Sequence, residues 1–149
     1  SAVDHPDLIT EIASHSGSQA VIVSIDVKQG LLGRQTVRTQ SGKHNTHHDP
    51  MAWAREVESR GAGEILLTSI DREGTWEGFD LDLVSGVATA VHIPVIAHGG
   101  AGHVEHIGQV VKQGHASAVA LGSMVVFQKK GMGVLVNFPD SKTLEAVLA

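Results

Sequence analysis

Two aspartates, a glycine loop and a set of histidines are the residues whose types and spacing could do chemistry. Asp26 closes the apolar run Val21–Ile25, and Asp71 follows the run Glu64–Thr68 in a second Ser-Ile-Asp. Carboxylates at the ends of neighbouring strands can converge as general acid and base, or hold substrate hydroxyls. Each can equally cap a turn or the next helix, and Ser69–Thr75 offers several turn-stabilising side chains. Gly99-Gly100-Ala101-Gly102 lies between an apolar run and a helical one. Such a loop lets backbone N–H groups approach a phosphate at a helix N-terminus, or simply permits a tight turn. Gly122-Ser123 adds a second small loop with a hydroxyl, which favours the phosphate reading. His98 directly precedes the first loop and is expected to face the site. The chain has ten histidines, with His44, His47 and His48 clustered and His103 and His106 three apart. A metal site is conceivable, but the cluster has no acidic neighbour at convincing spacing except Asp49, so solvated loop histidines are the plainer reading.

The elements that must position these residues follow from the periodicity. Leu8, Ile9, Ile12 and Ala13 recur at helical spacing, with Asp4 as cap, Pro6 in the first turn and Gly17 as stop. Val21–Ile25 is a continuous apolar strand with Asp26 at its end. Lys28–Asn45 reads as a hairpin excursion, with Val37–Thr39 a short strand and Arg34, Arg38 and Lys43 supplying positive charge over the site. Asp49-Pro50 starts a helix in which Trp53 and Val57 face the core. The stretch Gly61–Gly78 holds the next strand and its loop. Asp80–Val91 predicts a helix with Leu81, Val84, Val87, Ala88 and Val91 inward. Ile93–Ala97 is a strand, Val104–Lys112 a helix with Val104, Ile107 and Val111 inward, and Ser117–Leu121 a strand. Met124–Gln128 predicts a short helix, Gly131–Gly133 a break and Ser141–Leu148 a terminal helix. Strictly alternating units imply an α/β domain with a parallel sheet and right-handed crossovers.

Composition narrows the function classes. A chain of 149 residues with 42% hydrophobic content supports one domain with a normal core. A net charge of −5 and 3% aromatics argue against a nucleic-acid surface. The absence of cysteine excludes disulfides and thiolate metal sites. No apolar run approaches membrane-spanning length and no signal-peptide pattern is visible, so a cytoplasmic protein is expected. The chain begins Ser1-Ala2-Val3 without an initiator Met and reads as a trimmed product or a fragment.

Gly17–Asp26 (GSQAVIVSID), Ser41–Thr46 (SGKHNT), Trp53–Asp71 (WAREVESRGAGEILLTSID) and His98–Gly102 (HGGAG) together resemble the cyclase subunit of imidazole glycerol phosphate synthase. The resemblance runs to about Phe127. It implies a (β/α)8 barrel, with this chain a single half-barrel domain holding strands five to eight and the N-terminal half absent. In that family, ammonia from a partner glutaminase subunit reacts with a phosphoribulosyl formimino aminoimidazole carboxamide ribonucleotide. The products are imidazole glycerol phosphate and an aminoimidazole ribonucleotide. The resemblance makes Asp26 one of two acid/base aspartates, the other having no counterpart here. Thr68 matches a substrate-lining threonine. Gly74, Gly100, Gly122 and Ser123 match one phosphate site, with Glu73, His98 and Gly99 beside it. Glu64 matches one member of a charged gate where ammonia enters. No cofactor and no metal are implied.

Departures point elsewhere in the family. Glu73 stands where Asp is usual, His98 where Ser is usual, and Phe127–Pro139 lacks the usual end. These features look like the paralogues of surface-polysaccharide clusters, which use glutaminase-derived ammonia on a sugar. A different class of reading is a non-catalytic, phosphate-binding half-barrel. A four-stranded parallel sheet with one bare face needs either the missing half or a second copy of the chain.

Overall fold

The computed structural model describes residues 2–127, 131 and 133–149. Among the described residues, six α-helices, one 3-10 turn (Ser18–Ala20) and six strands occur, the helices and strands following one another as α1 (Asp7–Ser16), β1 (Ile22–Gln29), β2 (Gln35–Thr39), β3 (His44–Asn45), α2 (Pro50–Ser59), β4 (Glu64–Ser69), α3 (Leu81–Ala90), β5 (Val95–His98), α4 (Val104–Lys112), β6 (Ala118–Ala120), α5 (Ser123–Val126) and α6 (Ser141–Leu148). The six strands form one sheet in the order β3-β2-β1-β4-β5-β6. The pairs β1–β4, β4–β5 and β5–β6 are parallel, while β1–β2 and β2–β3 are antiparallel. The sheet is therefore parallel where helices intervene and antiparallel only in the excursion.

The helices start where the sequence offers caps. The Asp49 side chain accepts from Ala52 N at 2.9 Å ahead of α2, and Asp80 accepts from Leu83 N at 3.1 Å ahead of α3. Asp140 does the same for α6, accepting from Thr143 N at 2.9 Å. Two expectations shift. Helix α1 starts at Asp7, so the Asp4 cap and the place of Pro6 inside the first turn are not realised; Pro6 stands just before the helix. Strand β1 runs on to Gln29, so Asp26 sits inside it rather than at its end. The cause is β2, which pairs Asp26 with Arg38 and Gln29 with Gln35 and so keeps the chain extended. The predicted short helix is α5, but Gln128 lies outside the described residues, as does Met132 of the expected break.

The sheet has two unlike faces because side chains alternate along a strand. Val23, Ile25, Val27, Ile65, Leu67, Val95 and Ala97 are buried on one face. Helices α2, α3 and α4 cover it with Trp53, Ala54, Val57, Leu83, Val84, Val87 and Val110. In α4 the inward side is turned slightly from expectation: Val110 is fully buried and Val111 only partly. The other face carries Ile22, Ser24, Asp26, Glu64, Leu66, Thr68, Ile96 and His98, and Ile22 is 56% exposed. Among the described residues no helix is long and apolar enough to cross a membrane.

This asymmetry predicts unequal costs for one substitution. Ile65→Ala, on the covered face, should lower the unfolding free energy by about 2–5 kcal/mol. Ile22→Ala, on the open face, should cost less than about 0.5 kcal/mol. Urea unfolding of both variants with an unchanged slope checks the contrast.

Candidate active site

The parallel register sets the site. Asp26 pairs with Thr68, Thr68 with His98 and His98 with Ala120. These four positions form one row across β1, β4, β5 and β6, on the face that the helices leave open. Asp26, Thr68 and His98 line a cavity of about 350 Å³ together with Ser41, Leu66, Ile70 and Glu73. Thr68 is 7% exposed, and its Oγ1 lies 3.1 Å from His98 Nδ1. Ser24 Oγ, one turn of the pleat below, donates to Asp26 Oδ1 at 3.4 Å.

A second, smaller cavity of about 70 Å³ adjoins the first and shares Glu73 and His98 with it. Its remaining walls are Gly74, Gly99, Gly100, Ala101, Ala120, Gly122 and Ser123. The loop after β5 and the loop after β6 thus line one cavity, and α4 and α5 begin from them. The first backbone N–H groups of a helix have no partner inside it and carry partial positive charge. Gly100 has φ +105°, and a Cβ there would press into the Gly78 carbonyl oxygen. Gly78 N–H in turn donates to Gly100 O at 2.8 Å, so the loop after β4 is packed directly onto the glycine loop. Glycine at position 100 is required both by its dihedral and by this close approach.

The other candidates separate from this cluster. Asp71 is a tie rather than a site group: its Oδ2 accepts from Gln29 N at 2.7 Å, joining the loop after β4 to the end of β1. Glu64 pairs with Ile22 at the other end of β4. It shares the open face with Thr68 but stands four residues away, roughly 13 Å along the strand. The excursion does bring a cation near the row. Arg38 is the cross-strand partner of Asp26, and the two line a further cavity of about 180 Å³ with Trp53. Sequence reasoning gave Arg38 only as part of a basic hairpin; the register that pairs it with Asp26 could be found only by knowing where the hairpin turns. Among the described residues no group of three or more histidines and carboxylates could hold a metal ion. His48 instead packs its ring 5.2 Å from that of Trp53.

His106 has a role that its sequence position did not reveal. Its Nδ1 accepts from Gly102 N at 3.1 Å, and its ring packs against Gly78. It therefore braces the glycine loop from behind, in the neutral form. Burial pushes its pKa below the ordinary histidine value, and the neighbouring His103 adds to the shift against a smaller opposing pull from Glu105.

Known proteins similar to this chain agree with the resemblance read from its sequence. The model of a family described as histidine biosynthesis protein matches residues 1–130. The imidazole glycerol phosphate synthase subunit HisF of Chlorobium phaeobacteroides is 50% identical over 128 residues, covering 86% of this chain and 51% of the relative. The subunit of the same name from Chlorobaculum tepidum is 50% identical over 127 residues, covering 85% and 50%. That of Chlorobium luteolum is 51% identical over 128 residues, covering 86% and 51%. The chain spans about half the length of these relatives.

The His106 brace predicts a pH dependence with a definite sign. Its folded pKa lies below the unfolded value of 6.5, so the unfolded chain takes up the proton first as pH falls. The contribution to stability is complete above about pH 6.5, declines as pH drops toward the lowered folded value, and levels off below it. His106→Asn keeps an acceptor for Gly102 N–H but does not titrate. Its thermal midpoint should fall less than that of the unaltered chain between pH 7 and pH 5.

Proposed function

The chain belongs to the histidine biosynthesis protein family, and from that premise we propose that it is the strand-five-to-eight half of a cyclase-type (β/α)8 barrel. The reaction is the ammonia-dependent conversion of the phosphoribulosyl formimino aminoimidazole carboxamide ribonucleotide to imidazole glycerol phosphate and aminoimidazole carboxamide ribonucleotide. The observation that carries this reading is the single row Asp26–Thr68–His98, opening at one end into the glycine-lined cavity. A phosphate seated against Gly74, Gly99, Gly100, Gly122 and Ser123 directs the rest of the substrate along the row. Thr68 and His98 position it, and Asp26 exchanges the protons of ring closure. Glu73 lines both cavities.

Ammonia comes from a glutaminase subunit docked at the opposite end of the strands, where Glu64 belongs to the entry gate. The facing wall of the barrel comes from four further βα units or from a second copy of this chain, which would cover Ile22 and Leu66. A second reading draws on His98 and Glu73, which line both cavities and stand where Ser and Asp are usual in the cyclase family. It is amidation of a phosphorylated sugar with ammonia from the same kind of partner. Carried alone, without the facing wall, the chain is a phosphate-binding half-barrel that assembles with itself.

The deciding experiment is rescue of a cyclase-deficient histidine auxotroph by the full-length coding region. Growth is the expected outcome; failure to grow with the protein folded and present would reject the cyclase reading in favour of the sugar. In the purified full-length protein supplied with ammonium salts, Asp26→Asn should lower turnover by about 10²–10⁴-fold. Because Asp26 is only half-buried, folding should be retained, as circular dichroism can verify.

A further inference from the structure

His98 is placed to do more than line a wall. It is the one titratable side chain that faces both cavities from within the row, at the point where the glycine-lined pocket opens toward Asp26. Its Nδ1 is fixed at 3.1 Å by Thr68 Oγ1, a hydroxyl that is itself buried. Its Nε2 points the other way, lying 3.8 Å from where a Cβ on Gly122 would stand. The two ring nitrogens therefore have different duties: one is an anchor and the other faces the pocket.

The anchor suits both charge states. A threonine hydroxyl can donate or accept. When the ring is neutral, the tautomer protonated on Nε2 has Thr68 donating to Nδ1, and an anion in the pocket selects it over the tautomer with a bare Nε2. When the ring is charged, Thr68 accepts from Nδ1–H and Nε2 still carries a proton. In either state the pocket meets an N–H donor, and in the second state that donor is cationic. Hydrogen bonds from a charged donor to an anion are about twice as strong as neutral ones.

We infer that His98 is a charge-switchable receptor for the phosphate group of the ligand, so that this chain binds a dianionic phosphate monoester more tightly as the imidazole becomes imidazolium. The inference rests on reading the Gly99–Gly100 and Gly122–Ser123 loops as an anion site. Charged groups face His98 from two elements. Glu73, from the loop after β4, and Asp26, from β1, are carboxylates that line the larger cavity with it. Thr68 and Leu66 on β4 and Ala120 on β6 bring no charge. Of the histidines at the start of α4, His106 is engaged with Gly102 N–H, and its ring stacks edge-on with that of His103 at 5.5 Å. Protonating that pair loosens the loop and opposes the effect of His98. The consequence is selection for the ester by charge as well as by shape: a neutral group at the same position gains nothing from acidification.

Sulfate tests this cleanly, because it remains a dianion across the range in which histidine titrates. Calorimetric titration of this chain with sulfate should give an affinity several-fold higher at pH 5.8 than at pH 7.8, within a limiting difference of about tenfold between the two charge states. His98→Gln, which keeps an N–H donor without the charge, should bind sulfate with that gain abolished. In the unaltered chain, saturating sulfate should raise the titration midpoint of the His98 ring, followed by NMR, by about one pH unit, as linkage requires for a tenfold effect. That measurement needs no variant to fold. Sulfate binding with no gain on acidification, an equal gain in His98→Gln, or an unmoved His98 midpoint would overturn the switch and leave the anion site standing. No sulfate binding at either pH would overturn both.

Discussion

The parallel register between β1, β4 and β5 is the constraint on which the site depends. A slip of one residue would turn Asp26 or Thr68 to the opposite face. What forbids the slip is not the site itself but the burial behind it. Ile25, Ile65, Leu67, Val95 and Ala97 are each no more than 1% exposed beneath α2 and α3. Shifting any strand would drive these side chains into water and push polar ones under the helices. At about 25 cal/mol per Å2 of apolar surface, that penalty outweighs any preference the polar row could express. The chemistry occupies the face that the core does not need.

Most of the acidic side chains near the site serve the backbone instead. Asp49 and Asp80 cap helices, and Asp71 holds the end of β1. Asp80 has a second duty, accepting from Gln35 Nε2 at 2.8 Å and so pinning the hairpin to the start of α3. A carboxylate oxygen already accepting from backbone donors has fewer lone pairs to offer a ligand. Asp26 and Glu73 are the carboxylates left facing the larger cavity.

The alternation of helix and strand was legible because it is local. Continuous apolar runs of four to six residues, aspartate caps and glycine stops needed no tertiary information, and α4 begins and ends where its periodicity puts it. The glycine loops were legible for the same reason. The true length of β1 was not, because it is set by a partner strand that follows a turn of uncertain geometry. Asp26 therefore read as a strand-end residue when it lies three residues inside. Nor was the work of His106 legible, since nothing in a histidine on a helix signals that its ring accepts from a glycine four residues earlier. Interactions between adjacent loops, such as Gly78 with Gly100, lie outside what periodicity can express.

The two cavities differ in how much of each this chain supplies. The small one is enclosed by loops from β4, β5 and β6, and its bracing groups, Gly78 and His106, come from the same elements. The larger one has the Asp26–Thr68–His98 row on one side, while Ser24 and Ile22 on the same face lie open to solvent. The donors around the small cavity are thus held by packing internal to this chain. Asp26 stands on a face that solvent reaches, where screening weakens every charge interaction that it makes. The same sheet therefore carries a pocket walled by its own loops and a polar row walled on one side, because loops can pack on one another where a strand face needs a second layer.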